Sequence, residues 1–230
     1  MPSTWSPLEK KIKIRFHDQQ LLNNVFIHRS YLNEHRHYQF PSNEKLEFLG
    51  DSVLSLITSI YLYRNYVDLH EGEYTDIKAA IVRTESLAVA AAQLQLGKYL
   101  WLSHGEEQGD GRRNKNILAD CFEALVAAVF LDQGFETAYD FVVRHLFAAK
   151  LKLIVTTNAY LSPKSRLQQN IQSRHKTLPL YRLMHETGPD HQKRFVIGVY
   201  LEEKLLARGT GHSKKEAEED AAKNALEKIR

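Results

Sequence analysis

The apolar residues of this chain change their spacing once, near Val155, and that change limits what the chain can fold into. Before it, four long segments place apolar residues three and four apart, the spacing of one face of an α-helix. They are LEFLGDSVLSLITSIYLYRNY, IKAAIVRTESLAVAAAQLQL, ILADCFEALVAAVFLDQG and FETAYDFVVRHLFAAKLKLI. Glycines or polar clusters separate them at HEGEY, GK, GEEQGDGRRNKN and DQG, where helices are expected to stop. Nothing in this half sustains strand alternation, so residues 1–150 are expected to form an all-α domain. Residues 151–160 read as a linker, and residues 161–230 as a small α+β domain.

The order expected in that second domain is helix, three antiparallel strands, helix. Ser162 is placed to cap a helix whose first residue is Pro163, and KSRLQQNIQSRH continues it. Three strand-like runs follow, LPLYRLMHE, KRFVIGVYLE and KLLARGTG, separated by the turns TGPDHQ and LEEK. The last helix, HSKKEAEEDAAKNALEKI, opens with Ser213 and Glu216 at capping-box spacing.

Composition narrows the setting. A hydrophobic content of 43% suits a globular protein. The N-terminal MPSTWSPLEKKIKIRFHD carries charges where a signal peptide would need an apolar stretch. Runs such as LVAAVFL are too short to span a bilayer. One cysteine, Cys121, excludes an intramolecular disulfide and fits a reducing compartment, so the cytoplasm is expected, with no membrane partner. The net charge of +3 is unevenly spread. Residues 161–230 hold 14 Lys and Arg against 9 Asp and Glu, whereas residues 1–160 hold 17 against 19. A basic C-terminal piece on a slightly acidic N-terminal one is compatible with a polyanion-binding module.

The chemistry is concentrated in carboxylates. In NEKLEFLGDSVLSLI, Glu44, Glu47 and Asp51 are three and four residues apart, so a helix projects all three from one face. Like charges at these spacings cost a helix roughly 0.2–0.5 kcal/mol per pair, and no Lys or Arg sits three or four residues away to offset them. Gly50 adds about 1 kcal/mol of helix cost. Asp120 and Glu123 in ILADCFEALVAA repeat the pattern, again without a basic neighbour. Carboxylates left unpaired in apolar surroundings raise their pKa or bind a cation. No His or Cys is in register with either pair, so the donor set is hard and favours Mg²⁺ or Mn²⁺ over zinc. Cys121 points about 100° from Asp120, toward a core position. Carboxylate-bridged di-iron bundles need Glu-x-x-His pairs, which are absent. The His17-Asp18 pair resembles that of HD-type phosphohydrolases but lies in a polar stretch without partner ligands.

At HRSYLNE…NEKLEFLGDSVL and ILADCFEALVAAVFLDQG the chain closely resembles bacterial ribonuclease III, and its C-terminal 70 residues resemble a double-stranded RNA-binding domain. The resemblance implies a dimeric, divalent-metal-dependent endonuclease that cleaves double-stranded RNA to 5′-phosphate and 3′-hydroxyl ends. It implies that Glu47, Asp120 and Glu123 hold metal and that Asp51 positions or deprotonates the water, with Asp51 and Glu123 catalytic. Two cations about 3.5–4 Å apart would serve the attacking and leaving oxygens. Glu44 and Glu71 match acidic positions of a supporting kind. Phe48 matches an aromatic that reaches across the dimer interface; simple core packing is its other reading. Ala119 stands where many members carry glycine, a small-for-small change. Cutting both strands needs two related sites, hence a homodimer without a small-molecule cofactor. Ribosomal RNA precursors are the implied substrates, with messenger and transfer RNA precursors beside them. A catalytically silent double-stranded-RNA-binding regulator is the alternative, against which the intact set of four acids counts. His28 and Arg29 fall in a family-like motif with a structural role.

A-form RNA offers a major groove too deep to read, so proteins contact 2′-hydroxyls and phosphates across the minor groove. Gln168 and Gln172 on the first helix of the module, His191 in the GPDHQ loop, and Lys214 and Lys215 on the last helix suit that task. Lysines at a helix N-terminus oppose the macrodipole at about 0.3–1 kcal/mol each, unless a phosphate joins them. The bland reading is that Glu216, Glu218, Glu219 and Asp220 offset them. The basic loop with Arg112, Arg113 and Lys115 is either an RNA contact or a solvated surface.

Overall fold

The most apolar segment of the chain becomes its central helix. In the computed structural model, which describes residues 5–148, 151, 154, 160–189 and 192–229, α8 (Lys115–Val142) buries Ile117, Leu118, Phe122, Leu125, Val126 and Val129. A helix apolar on nearly every side belongs inside a protein. Gly134, at φ 81°, breaks it where the DQG stop was expected.

Before α8 come α1 (Ser6–Ile12), α2 (Gln19–Val25), α3 (Arg29–Glu34), α4 (Glu44–Asn65), α5 (Glu71–Val82), α6 (Thr84–Leu94) and the short α7 (His104–Gln108), of which α2, α4 and α6 pack on it. A single bridge, Ile27 to Trp101, is the only strand-like pairing among the described residues here. One expected element divides. IKAAIVRTESLAVAAAQLQL forms α5 and α6 rather than one helix, because Arg83 is extended at ψ 151° and ends the first while preceding the second. Ser86 fixes the corner by donating from Oγ to the Ala80 carbonyl at 3.0 Å. Apolar periodicity carries across such a corner, so spacing alone does not reveal it.

By length and mean hydropathy α4 could cross a membrane. Its buried face (Leu46, Gly50, Val53, Leu54 and Ile57) instead packs on α8, the placement of a core helix. Asp18 spends its carboxylate on the N-cap of α2, accepting from the N–H groups of Gln20 and Leu21 at 2.8 and 3.0 Å. Asp132 in turn receives the N–H groups of His17 and Asp18. The His17-Asp18 pair is therefore a structural corner.

The chain divides into two units, Met1–Thr156 and Thr157–Arg230. Most of the expected linker lies outside the described residues. In the second unit, α9 (Pro163–His175) is capped by Ser162, whose Oγ accepts from the Ser165 N–H at 3.2 Å. Strands β1 (Leu180–Thr187), β2 (Arg194–Leu201) and β3 (Lys204–Gly211) form an antiparallel sheet in that order, and α10 (Lys214–Lys228) closes the chain. The LEEK turn pairs Leu201 with Lys204. Leu167 and Ile171 of α9 share a core with Val199, Ala207, Ala221, Ala222 and Ala225. The alanines let α10 approach so closely that a Cβ on Gly209 would lie 2.0 Å from the Ala221 nitrogen.

Candidate active site

α4 and α8 meet at Gly50. A Cβ there would stand 2.0 Å from the Glu123 carbonyl oxygen, so only a hydrogen allows the two backbones this contact. Glu47 lies one turn before Gly50 on α4, and Asp120 one turn before Glu123 on α8. The close crossing therefore aims three carboxylates at one point. Ligand oxygens of Glu47, Asp120 and Glu123 all lie within 4.8 Å of one another, and each side chain is half-buried.

The electrostatics follow from that crowding. Burial pushes the Glu123 carboxyl up to about 8, and the charges of Asp51, Asp120 and Glu47 add to the shift. Glu47 is raised by burial and then by Asp120 and Glu44, against a smaller opposing effect of Arg29. Burial also raises Asp120, while His28 and Arg29 oppose it. An all-oxygen cluster that is uncomfortable with its own charge fits a hard divalent cation, whose charge would relieve the repulsion. Among the described residues no nitrogen or sulfur donor joins the cluster. Cys121 is fully buried, its thiol pushed far up by burial and by Asp120.

The remaining acids are placed differently. Asp51 is exposed and stands outside the tight cluster, yet its charge reaches Glu123. Glu44 is exposed, accepts from the Ser42 hydroxyl at 2.7 Å and pairs with Arg29 at 3.7 Å. The counter-charge missing from both helices thus arrives through the fold, from the start of α3. His28 accepts the Ser30 N–H through Nδ1 and caps that helix, so it helps hold Arg29 in place. Glu71 lies outside the cluster, at the first residue of α5, where it lines a concavity of ≈ 600 Å³ with Tyr63, Arg64, Tyr74 and Lys78.

Phe48 is 79% exposed, which removes core packing as an account of it. Leu56 and Tyr63, 53% and 74% exposed, fall on the same side of α4, beside the carboxylate face. Their spacing was visible in the sequence, but not that this stripe is left uncovered. Arg112 is committed to the protein: its Nη1 donates to the carbonyls of Gly97 and Leu100 at 2.9 Å each, and its Nη2 pairs with Glu107.

In the second unit Gln168 and Gln172 are exposed on α9. His191 lies outside the described residues. Lys214 and Lys215 open α10, and the acids expected to offset them are occupied elsewhere. Glu216 accepts from the His212 N–H at 2.7 Å, Glu219 from the Lys164 N–H at 3.0 Å and Asp220 from the Thr210 N–H at 2.8 Å, while Glu218 pairs with the Lys164 ammonium. The capping box is consequently shifted by one residue. Ser213 Oγ still accepts the Glu216 N–H, but Glu216 returns to His212 rather than to Ser213.

Residues 18–150 match the family model described as ribonuclease-III-like, and residues 163–229 the double-stranded RNA binding motif. The chain is 47% identical to the ribonuclease 3 of Oceanobacillus iheyensis, over 97% of each chain. It is 41% identical to that of Dehalococcoides mccartyi, over 96% of this chain and 93% of the relative. Among solved structures, the nuclease domain of ribonuclease III from Campylobacter jejuni covers 65% of this chain and 97% of its own, with a TM-score of 0.59 at 33% identity.

Proposed function

This chain belongs to the ribonuclease III family, and from that premise we propose that Glu47, Asp120 and Glu123 hold the divalent metal with which it cuts double-stranded RNA. The protein is a double-stranded-RNA endoribonuclease with a helical nuclease domain and a double-stranded RNA-binding domain. The observation that carries the site assignment is the convergence of three half-buried carboxylates from two helices on one point. Mg²⁺ is the cation the all-oxygen set suits, with Mn²⁺ as a substitute. When bound, such a cation supplies positive charge where the attacking and departing oxygens gain negative charge, and makes water more acidic.

The chain's own residues supply the rest. Asp51, exposed beside Glu123, accepts a proton from the attacking water and orients it toward phosphorus. The water oxygen bonds to phosphorus as the bond to the 3′ oxygen breaks and that oxygen takes a proton from solvent water, leaving a 5′-phosphate and a 3′-hydroxyl. Glu44 and Arg29 support Glu47 from the solvent side, and Glu71 has a supporting role away from the reacting atoms. A defined RNA hairpin tests the reading: cleavage is expected in Mg²⁺ and none in excess chelator. Cleavage that persists in chelator, or new ends carrying a 3′-phosphate, would contradict it.

Two strands require two sites, and the exposed stripe of Phe48, Leu56 and Tyr63 suits a second copy of this chain. Aspartates in place of Leu56 and Tyr63 are expected to give a monomeric mass in light scattering and to stop concerted cutting of both strands. Monomers that cut duplexes undiminished would refute the homodimer. We place the enzyme in the cytoplasm, processing ribosomal RNA precursors and also messenger and transfer RNA precursors.

Duplex RNA meets the second domain at Gln168, Gln172, Lys214 and Lys215, with His191 in the loop between β1 and β2. No ion pair among the described residues joins Lys214 or Lys215 to a carboxylate, which supports this reading. The double variant Lys214→Ala/Lys215→Ala should bind hairpin RNA more weakly and flatten the slope of log K against log salt by about 1–2. An unchanged slope would count against the assignment.

A further inference from the structure

Helix α9 carries a second polar face. Arg166, Asn170 and Arg174, four residues apart, lie about half a turn around it from Gln168 and Gln172. With Lys223, Leu226 and Glu227 of α10 they line a groove of ≈ 400 Å³. The ion pairs described in this domain join Lys164 to Glu218, Arg182 to Glu203 and Lys193 to Glu186. Arg166, Arg174 and Lys223 have no ion-pair partner among the described residues. Asn170 Oδ1 is buried there and has no hydrogen-bond donor. A groove with surplus positive charge beside apolar side chains calls for a ligand with carboxylates and an apolar side chain.

We propose that this groove binds an acidic peptide segment of a protein partner, and that it does so while the opposite face of α9 is on RNA. Eight helical residues separate Arg166 from Arg174, about 12 Å along the axis. An extended peptide covers that span in about four residues. Two carboxylates four residues apart therefore meet the two guanidinium groups, each able to take a carboxylate through paired N–H donors. A side chain between them lies on Leu226 and Ile229, which are packed against the domain core. A phosphodiester backbone suits the groove less well, because it offers no apolar group to Leu226 and Ile229.

The probe is a dye-labelled extended peptide with two glutamates four residues apart and a leucine between them, followed by fluorescence anisotropy with the full chain in chelator. Binding is expected, and Arg166→Glu/Arg174→Glu should weaken it at least about ten-fold. Both arginines are exposed, so the variant should keep its circular dichroism spectrum and cut the hairpin in Mg²⁺ at the wild-type rate. Saturating hairpin RNA should leave the peptide bound. No binding by the wild-type chain, or equal binding by the charge-reversed variant, overturns the proposal. Displacement by RNA, or loss of cleavage by the folded variant, also overturns it and assigns the face to the RNA interface.

Discussion

Glu123→Gln is expected to remove Mg²⁺-dependent cleavage of a duplex hairpin, with a fall in kcat of about 10³-fold or more, while leaving RNA binding near wild type. The substitution keeps the shape of the side chain and deletes the charge at the most crowded point of the acidic cluster. A second consequence has the opposite sign for stability. In the metal-free fold, burial and the carboxylates of Asp51, Asp120 and Glu47 raise Glu123 from 4.5 to about 8. The folded state thus holds a proton that the unfolded state gives up. This stabilisation is fully present below about pH 4.5 and is lost as pH rises through about 8. The Tm of the metal-free enzyme should accordingly decline between these values, and Glu123→Gln should flatten the decline. Binding of Mg²⁺ at pH 7 should release close to one proton, seen as a dependence of calorimetric heat on buffer ionisation, and the variant should release less. Full turnover in the variant, or no proton release by the wild type, would sink the assignment.

Gly50→Ala should be nearly as damaging, although it touches no carboxylate. Ordinary contact begins near 3.4 Å, and the new methyl would sit 2.0 Å from the Glu123 carbonyl oxygen and 2.5 Å from its carbon. Both are backbone atoms of a buried helix and cannot swing away, so α4 and α8 must part by about 1 Å or more. Overpacking of this kind costs about 1–3 kcal/mol, of which the better helix propensity of alanine returns at most about 1. The larger effect is on chemistry. Glu47 and Glu123 flank the contact, and a 1 Å misplacement is enough to cost roughly 10²-fold in rate. The expected result is a lowered Tm together with weakened Mg²⁺ binding and cleavage. A variant that melts and turns over like the wild type would show that the crossing does not set the site.

These two substitutions mark different degrees of legibility. Glu123 was a candidate from spacing alone, because three-residue offsets of unpaired acids in apolar helices are readable in one dimension. Gly50 was visible only as a helix cost of about 1 kcal/mol. Its purpose, a backbone-to-backbone contact with a residue 73 positions away, is a property of packing. Arg29 is similar. Neither acidic helix carries a cation at helical spacing, and the one that pairs with Glu44 comes from a separate helix. The acids after Lys214 and Lys215 looked like local compensation, yet each reaches a different backbone N–H or ammonium group. The corner at Arg83 was missed because apolar periodicity runs through it without a glycine or proline.

The sequence by itself determined the helical character of the first 150 residues, the helix, three strands and helix of the last 70, and which acids share a helix face. Periodicity, capping residues and unpaired charge are local quantities, written into neighbours a few positions apart. Only the tertiary structure decided that Glu47, Asp120 and Glu123 share one point while Asp51 stands exposed outside the cluster, and that Phe48 faces outward. The reason is geometric. Convergence depends on where two helices cross and how closely, and that was settled by the one residue small enough to let their backbones touch.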